Sequence, residues 1–552
     1  MSLHPKSIEP VPEETARIAR AAFPKGNGYL RLRDELGSLY TDEAFADLFP
    51  THGQPAEAPW RLAVITVLQF AEMLSDRQAA EAVRARLDWK YLLGLPVEDP
   101  GFDASVLCEF RARLLEGGAE QRLLDVLLER CREHGLVKAR GRQRTDSTHV
   151  LSAVRALNRL QCVGETMRHA LNSLAVAAPD WLQPRIRAAW LERYGHQLDE
   201  YRLPKTEAER TTLAVRIGAD GCELLAAIDA ADAPLWLRAV PAVQTLRRVW
   251  LQQYHTSDDG PIQWRASADL PPAHLLITSP YDPEARFGGK RDLTWIGYKA
   301  HLTETCEPDE PQLVTHVETT PAPTHDGQVV EAIHADLARK ALLPSEHIVD
   351  AASVDSDLLV SSQAVYGIDL LGPVMGDTSW QSRAANGFES AAFSVNWPAQ
   401  KVVCPEGHTS VKWCPTHDRH GNHVIHIEFA RADCLACPGR PHCTRAATEP
   451  REMGLRPQAQ QEALWAARQR QTTAAFQQAY ARRAGVEGTL SQAIHVCGLR
   501  RAKDVGLAKT RLQHVVTAAA LNVVRAGPWL AGTSHAHTRQ APTARRSSGG
   551  RR

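Results

Sequence analysis

Across 552 residues no stretch approaches the run of about 18 apolar residues that a membrane span needs, and the N-terminus has no apolar signal-peptide core. A membrane or exported protein is therefore not expected. The formal net charge is zero, which argues against a uniformly basic nucleic-acid binder but leaves room for local basic patches. Eleven cysteines are too few and too clustered to staple a chain of this length, so disulfides give way to a reducing cytoplasm. The length itself implies about three domains with ample core.

What is present centres on Arg144-Thr145-Asp146-Ser147-Thr148-His149-Val150. A β-prone run surrounds one acid, directly after the basic cluster Lys138, Arg140, Arg142 and Arg144. An Asp in a strand fit for burial is costly unless paired, protonated or metal-bound. Ile348-Val349-Asp350 is a second buried-looking strand that ends on a carboxylate. Tyr480, Arg483 and Glu487 stand at i, i+3 and i+7, one face of a helix. Three acids converging from distant parts of a chain make a hard-oxygen site of the kind Mg²⁺ prefers.

Along the chain, residues 1–57 form a Pro- and charge-rich N-terminal extension with a helix around Pro12–Ala22. A helical region follows over 58–137: Trp60–Leu74, then a helix capped by Ser75-Asp76, then a third capped by Asp103 or Ser105. Leu107, Phe110 and Leu114 face inward in the third, Arg111 and Arg113 outward. The pattern fits either a helix-turn-helix-like DNA binder or a plain bundle with a solvated arginine face. Core strands are expected in 138–376, interrupted by a helical insertion at 152–270. Asp292–Thr305 alternates as a strand, with Lys299 and His301 on its polar side, where they reach a phosphate or face solvent. Leu313–Thr319, His347–Asp350 and Asp369–Val374 complete a mixed sheet, with a helix over His325–Lys340. Residues 377–457 read as a Cys-rich insertion, 458–530 as the closing helices (Gln458–Ala481 and Ser491–Val524), and 531–552 as a disordered basic tail.

In the insertion, Cys434-x₂-Cys437-x₅-Cys443 with Cys404 upstream offers four thiolates for a structural Zn²⁺. Cys414, His408 and His442 are spare ligands, and free, partly buried thiols are the alternative.

Five strings in order, FDASVLCEFRARLL, RTDSTHVLSAVRALNRL, DLTWIGYKAHLTETC, VTHVETTPAPTHDG and EGTLSQAIHVCGLRRAKDVGLAKTRLQHVVTAAALNVVR, resemble the DDE transposases of bacterial insertion sequences. The resemblance is to the branch with an InsH-like N-terminal domain and runs from about Trp60 to Asn522. It implies an α/β fold with an RNase H-like mixed-sheet core beside a helical DNA-binding domain. It also implies Asp146, Asp350 and Glu487 as catalytic acids holding two Mg²⁺, with Mn²⁺ as substitute, and Tyr480 and Arg483 as their companions. Asp350 is followed by Ala351-Ala352-Ser353 where the family has a Gly-aromatic pair, so Asp355 and Asp357 stay open as substitutes. The family's basic residue seven beyond the Glu is replaced by Ile494, leaving His495, Arg500 or Arg501 for that role.

For DNA contact the resemblance turns the reading toward Arg84, Arg86, Arg111, Arg113, Lys299, Arg500 and Arg501. Trp380 either stacks on a displaced base or packs a domain junction. The implied activity is binding the ends of an insertion sequence, cleaving there, and joining 3′-hydroxyls to target DNA, in the cytoplasm and as a homodimer or larger assembly. The alternatives are a nuclease of the same core without strand transfer, or a catalytically decayed DNA-binding relic.

Overall fold

A computed structural model describes residues 2–5, 7–255 and 260–532. Beyond Ala531 and Gly532, the segment expected as a disordered tail lies outside them.

Five strands build the central sheet, numbered here in chain order: β1 (Arg140–Leu151), β2 (Leu293–Thr305), β3 (Val314–Pro321), β4 (Pro344–Ile348) and β5 (Asp369–Leu371). Their spatial order is β3-β2-β1-β4-β5, and the short strand Arg286–Lys290 adds a hairpin to the start of β2. β1 runs antiparallel to β2, and β2 to β3, whereas β4 and β5 run parallel to β1. The fold is thus mixed α/β. Gly297 marks where β2 crosses the end of β1. Its φ is +149°, and a Cβ there would stand 2.2 Å from the Val150 carbonyl oxygen, so no other residue fits.

One face of the sheet rests on helix α2 (Leu507–Leu530) and on the N-terminal helices. Val515, Val516 and Leu521 share one core with Tyr298, Leu302 and Val317 of the sheet and with Trp60, Leu68 and Phe110. The first 57 residues contribute Leu32, Leu36, Tyr40 and Phe45 to the same core. They pack as part of the helical layer because Gly28–Leu36, not foreseen as a helix, puts its Leu side chains inward. The opposite sheet face is covered by the helix Val330–Arg339, whose His334 meets His347 of β4, which in turn meets Thr145 of β1.

The stretch after β1 is helical as expected (Arg159–Ala177, Glu207–Asp229, Pro241–Gln253) and has its own core around Met167, Ile217, Leu246 and Trp250. Residues 388–455 form a third core around Phe388, Val402, Ile427 and Phe429, with a three-stranded sheet Ser410–His417, His423–Phe429 and Glu452–Leu455.

Two helix readings need correction. Gln458–Ala481 is broken between Arg470 and Ala474, where Thr473 caps a new helix. Ser491–Val524 is not continuous: α1 (Ala484–Cys497) ends at Gly498 in the left-handed region, and the chain turns before α2 begins. The apolar period continues on both sides of that turn, so periodicity alone hid it.

Candidate active site

Asp146 lies in the middle of β1 with its side chain 12 % exposed. Asp350 follows β4, and the strand register sets the two level. The last paired positions are Arg144 and Ile348, and each acid stands two residues beyond. Adjacent strands run about 4.8 Å apart, so the two carboxylates come from neighbouring rails. Asp350 caps the turn Ala351–Ser353, accepting from the Ala352 N–H at 3.1 Å and the Ser353 hydroxyl at 2.8 Å. Burial pushes the Asp146 carboxyl above its usual range. The Arg483 guanidinium and the Ser147 N–H pull it down, and the Asp350 charge pushes it up again.

Arg483 Nη2 meets Asp146 Oδ2 at 2.8 Å, while its Nη1 is 3.9 Å from Glu487. Glu487 sits in the first turn of α1 with its side chain 69 % exposed. Tyr480 stacks flat on Phe476 and feels the charges of Arg483, Asp350, Asp146 and Glu487. These five side chains are therefore neighbours. The three carboxylates do not all close to within 4.8 Å of one another, and in this arrangement Arg483 is the cation on Asp146. The donors suit a hard divalent cation: carboxylate oxygens, one half desolvated, next to each other.

The position of α1 over Asp146 depends on a buried ionic network. Arg144, directly opposite Glu304 in the ladder, bonds it through Nε at 2.8 Å, and both side chains are almost fully buried. Arg525 of α2 reaches the other Glu304 oxygen at 2.9 Å and Thr489 of α1 at 2.7 Å. Arg144 also bonds the Arg482 carbonyl, one residue before Arg483. Gly485 gives the guanidinium room, since a Cβ there would lie 2.1 Å from Arg144 Nη1. Sequence reading missed this network, although Glu304 carries the same mark that singled out Asp146, an acid inside a strand pattern fit for burial.

Asp355 and Asp357 serve elsewhere. Asp355 caps the helix Ser356–Tyr366, and Asp357 accepts from Gln460 at 2.8 Å. Ile494 packs against the core, and His495 is exposed. Arg500 comes nearest to the acids' face: its Nε donates to Thr148 Oγ1 at 3.1 Å, two residues along β1 from Asp146. The segment holding Arg500 and Arg501 pairs with Leu151 at the end of β1.

Other expected positions differ from the sequence reading. Lys299 neither faces solvent nor stands free; its Nζ donates to Asp326 at 3.1 Å and to the Thr324 carbonyl at 2.7 Å. His301 is buried beside it, since the helix after Asp326 covers this side of the sheet. Asp326, which sequence reading passed over, also accepts from Ser147. Of the four N-terminal arginines expected on an outer face, only Arg84 is exposed, and it bonds Glu81 and the Pro100 carbonyl. Arg86 is clamped by Glu72 and Asp88, Arg111 by Asp76 at 2.7 Å, and Arg113 lies over the Phe49 ring. Arg86 and Arg111 are drawn against the protein because acids from neighbouring helices meet them there. Trp380 is half-buried under the Arg445 guanidinium.

The thiols of Cys404, Cys434, Cys437 and Cys443 are near enough to feel one another's charge, but no three of the sulfurs close to within 4.8 Å of one another. Burial pushes the Cys443 thiol up to about 11, and the other three sulfurs add to the shift. Backbone N–H groups of His408 and Arg451 point at the sulfurs of Cys404 and Cys434. Such donors favour thiolate, the form a metal needs.

Two family models match the chain. A transposase domain (DUF772) covers residues 18–113, across the position where the N-terminal extension was expected to end, and a transposase DDE domain covers residues 403–526. The second includes the four cysteines, Tyr480, Arg483 and Glu487; neither reaches Asp146 or Asp350. No curated protein and no solved structure matches. Both matched regions are transposase domains. Together the two matches support an insertion-sequence DDE transposase. Among the described residues no helix is long and apolar enough to cross a membrane.

Proposed function

We propose that the protein binds the ends of its own insertion sequence, cleaves DNA there and joins the freed 3′-hydroxyls to target DNA, working in the cytoplasm as a dimer or larger synaptic assembly. The observation that carries this reading is the level placement of Asp146 and Asp350 on adjacent parallel strands, with Arg483 and Glu487 held beside them by the buried network. The β3-β2-β1-β4-β5 order, antiparallel on one side of β1 and parallel on the other, supports an RNase H-like core. The domain limits set out from the sequence from residue 58 onward are part of the same proposal, with residues 1–57 joined to the helical layer in whose core they pack.

Asp146, Asp350 and Glu487 would hold two Mg²⁺, or Mn²⁺ in their place, which when bound supply charge stabilisation on the entering and leaving oxygens of a phosphoryl transfer. Asp146 orients through the Ser147 N–H and Asp350 through Ala352 and Ser353, so both present fixed oxygens. Arg483 is the guanidinium placed to meet a phosphate, and Tyr480 packs the side of the site against Phe476. The DNA path is supported by cations without acid partners among the described residues. Arg155 and Arg501 lie around the outer end of β1, and the Lys290 charge reaches Asp146 and His149 of that strand. Arg155 and Arg501 line a cavity of about 650 Å³ together with Phe287. The four thiols are proposed to hold a structural Zn²⁺.

A labelled terminal-repeat duplex incubated with the protein and a supercoiled target tests the reading. Joined product is expected. Cut product alone would make the protein a nuclease, and a mobility shift alone would make it a binding relic.

A further inference from the structure

We infer a second transition-metal site, outside the acids and the thiols, on the open face of the three-stranded sheet. Its ligands are His426, Glu428 and Glu452. One ligating atom from each lies within 4.8 Å of the others, and among the described residues this is the trio of ligating side chains that meets that spacing.

The backbone builds the trio. His426 and Glu428 are two apart on the middle strand and so project from the same side. Glu452 stands directly opposite Glu428 on the edge strand. Two like charges facing each other across a ladder repel, and such pairs weaken a sheet. Lys412, opposite Glu428 on the other edge, answers only one of them, at 3.2 Å. Glu452 has no cation of its own among the described residues. Opposite His426 stands Gly454, and a Cβ there would meet nothing within 4 Å, so the space beside the imidazole is open. An ion seated between the three would neutralise the facing carboxylates and tie the edge strand to the middle one.

One imidazole nitrogen and two carboxylates favour Zn²⁺ over Mg²⁺, because imidazole is the softer donor, and water completes the coordination. Cys414 stands across from His426, but its sulfur lies outside the trio, so this site takes nitrogen and oxygen only. The strand it ties, Glu452–Leu455, leads into the helices that carry Arg483 and Glu487.

The test uses the full chain, stripped of metal and titrated with Zn²⁺ at micromolar concentration, alongside Glu452→Gln and His426→Gln. Both substitutions are at the open sheet surface, and a melting temperature of the metal-free variants no lower than that of the metal-free wild type checks that they fold. The wild type is expected to bind one more ion than either variant, or to hold that ion at least tenfold more tightly. In the Co²⁺ forms, the sulfur-to-metal absorption should be the same in all three proteins. Equal stoichiometry and affinity in wild type and variants would overturn the inference, as would a loss of the sulfur band in the variants.

Discussion

Glu304→Gln removes one charge from the network that seats α1 on the sheet and changes almost no volume. Glu304 is fully buried and accepts from Arg144 and Arg525, whose side chains are 4 % and 15 % exposed. Removing one partner of a buried pair costs about 3–5 kcal/mol, since it strands an uncompensated charge, and here two guanidiniums share the acid. The upper half of that range is expected. At about 2–4 °C per kcal/mol for a unit of 150–250 residues, the sheet and its helices should melt roughly 10 °C lower. Thermal melting followed by tryptophan fluorescence reads this, and cleavage assayed well below the melting point should also fall as Arg483 and Glu487 lose their seat. Adding Arg144→Met should restore at least half of the loss, because the stranded charge goes with it. A Glu304→Gln protein within 1 kcal/mol of wild type, with normal cleavage, would refute the account of how the site is held.

Other outcomes follow from the same structure. Burial keeps His301 and His334 near pKa 4 and His514 near 3, below the ordinary 6.5, so the unfolded chain binds more protons as pH falls. Stability should be full above about pH 6.5 and decline towards pH 4, by about 3 kcal/mol for one such histidine; a flat melting temperature from pH 7 to 4.5 would contradict this. Arg155→Ala with Arg501→Ala should weaken DNA binding and reduce the slope of log affinity against log salt by about 0.9 for each lost phosphate contact, whereas Arg111→Glu should chiefly lower the melting temperature by breaking its pair with Asp76. Equal salt slopes in wild type and the double variant would remove this patch from the DNA path. Elemental analysis should find Zn²⁺ that Cys437→Ser loses, with residues 388–455 loosened and the central sheet intact.

Asp146 and Asp350 stand out in the sequence because each breaks a local rule: Asp146 interrupts a strand pattern, and Asp350 ends one. Capping at Ser75 was equally plain, and the structure shows its reciprocal bonds with Gln78. Nothing local marks Glu487, an exposed residue in the first turn of a helix. What stayed hidden depends on partners far along the chain. Nothing near Arg111 announces Asp76, nor does anything near Lys299 announce Asp326, so both read as free cations. The break at Gly498 was masked by apolar residues continuing in step on either side. Glu304 was overlooked because its partners lie 160 and 221 residues away.

The most direct test compares single-turnover cleavage of a terminal-repeat duplex in Mg²⁺ by the wild type, Asp146→Asn, Asp350→Ala, Glu487→Gln and Asp355→Ala. Wild type and Asp355→Ala should cut, the other three should bind the duplex without cutting, and Mn²⁺ should not rescue Asp350→Ala. Normal cleavage by Asp350→Ala together with loss in Asp355→Ala would misassign the second acid, and cleavage by all five would contradict the account.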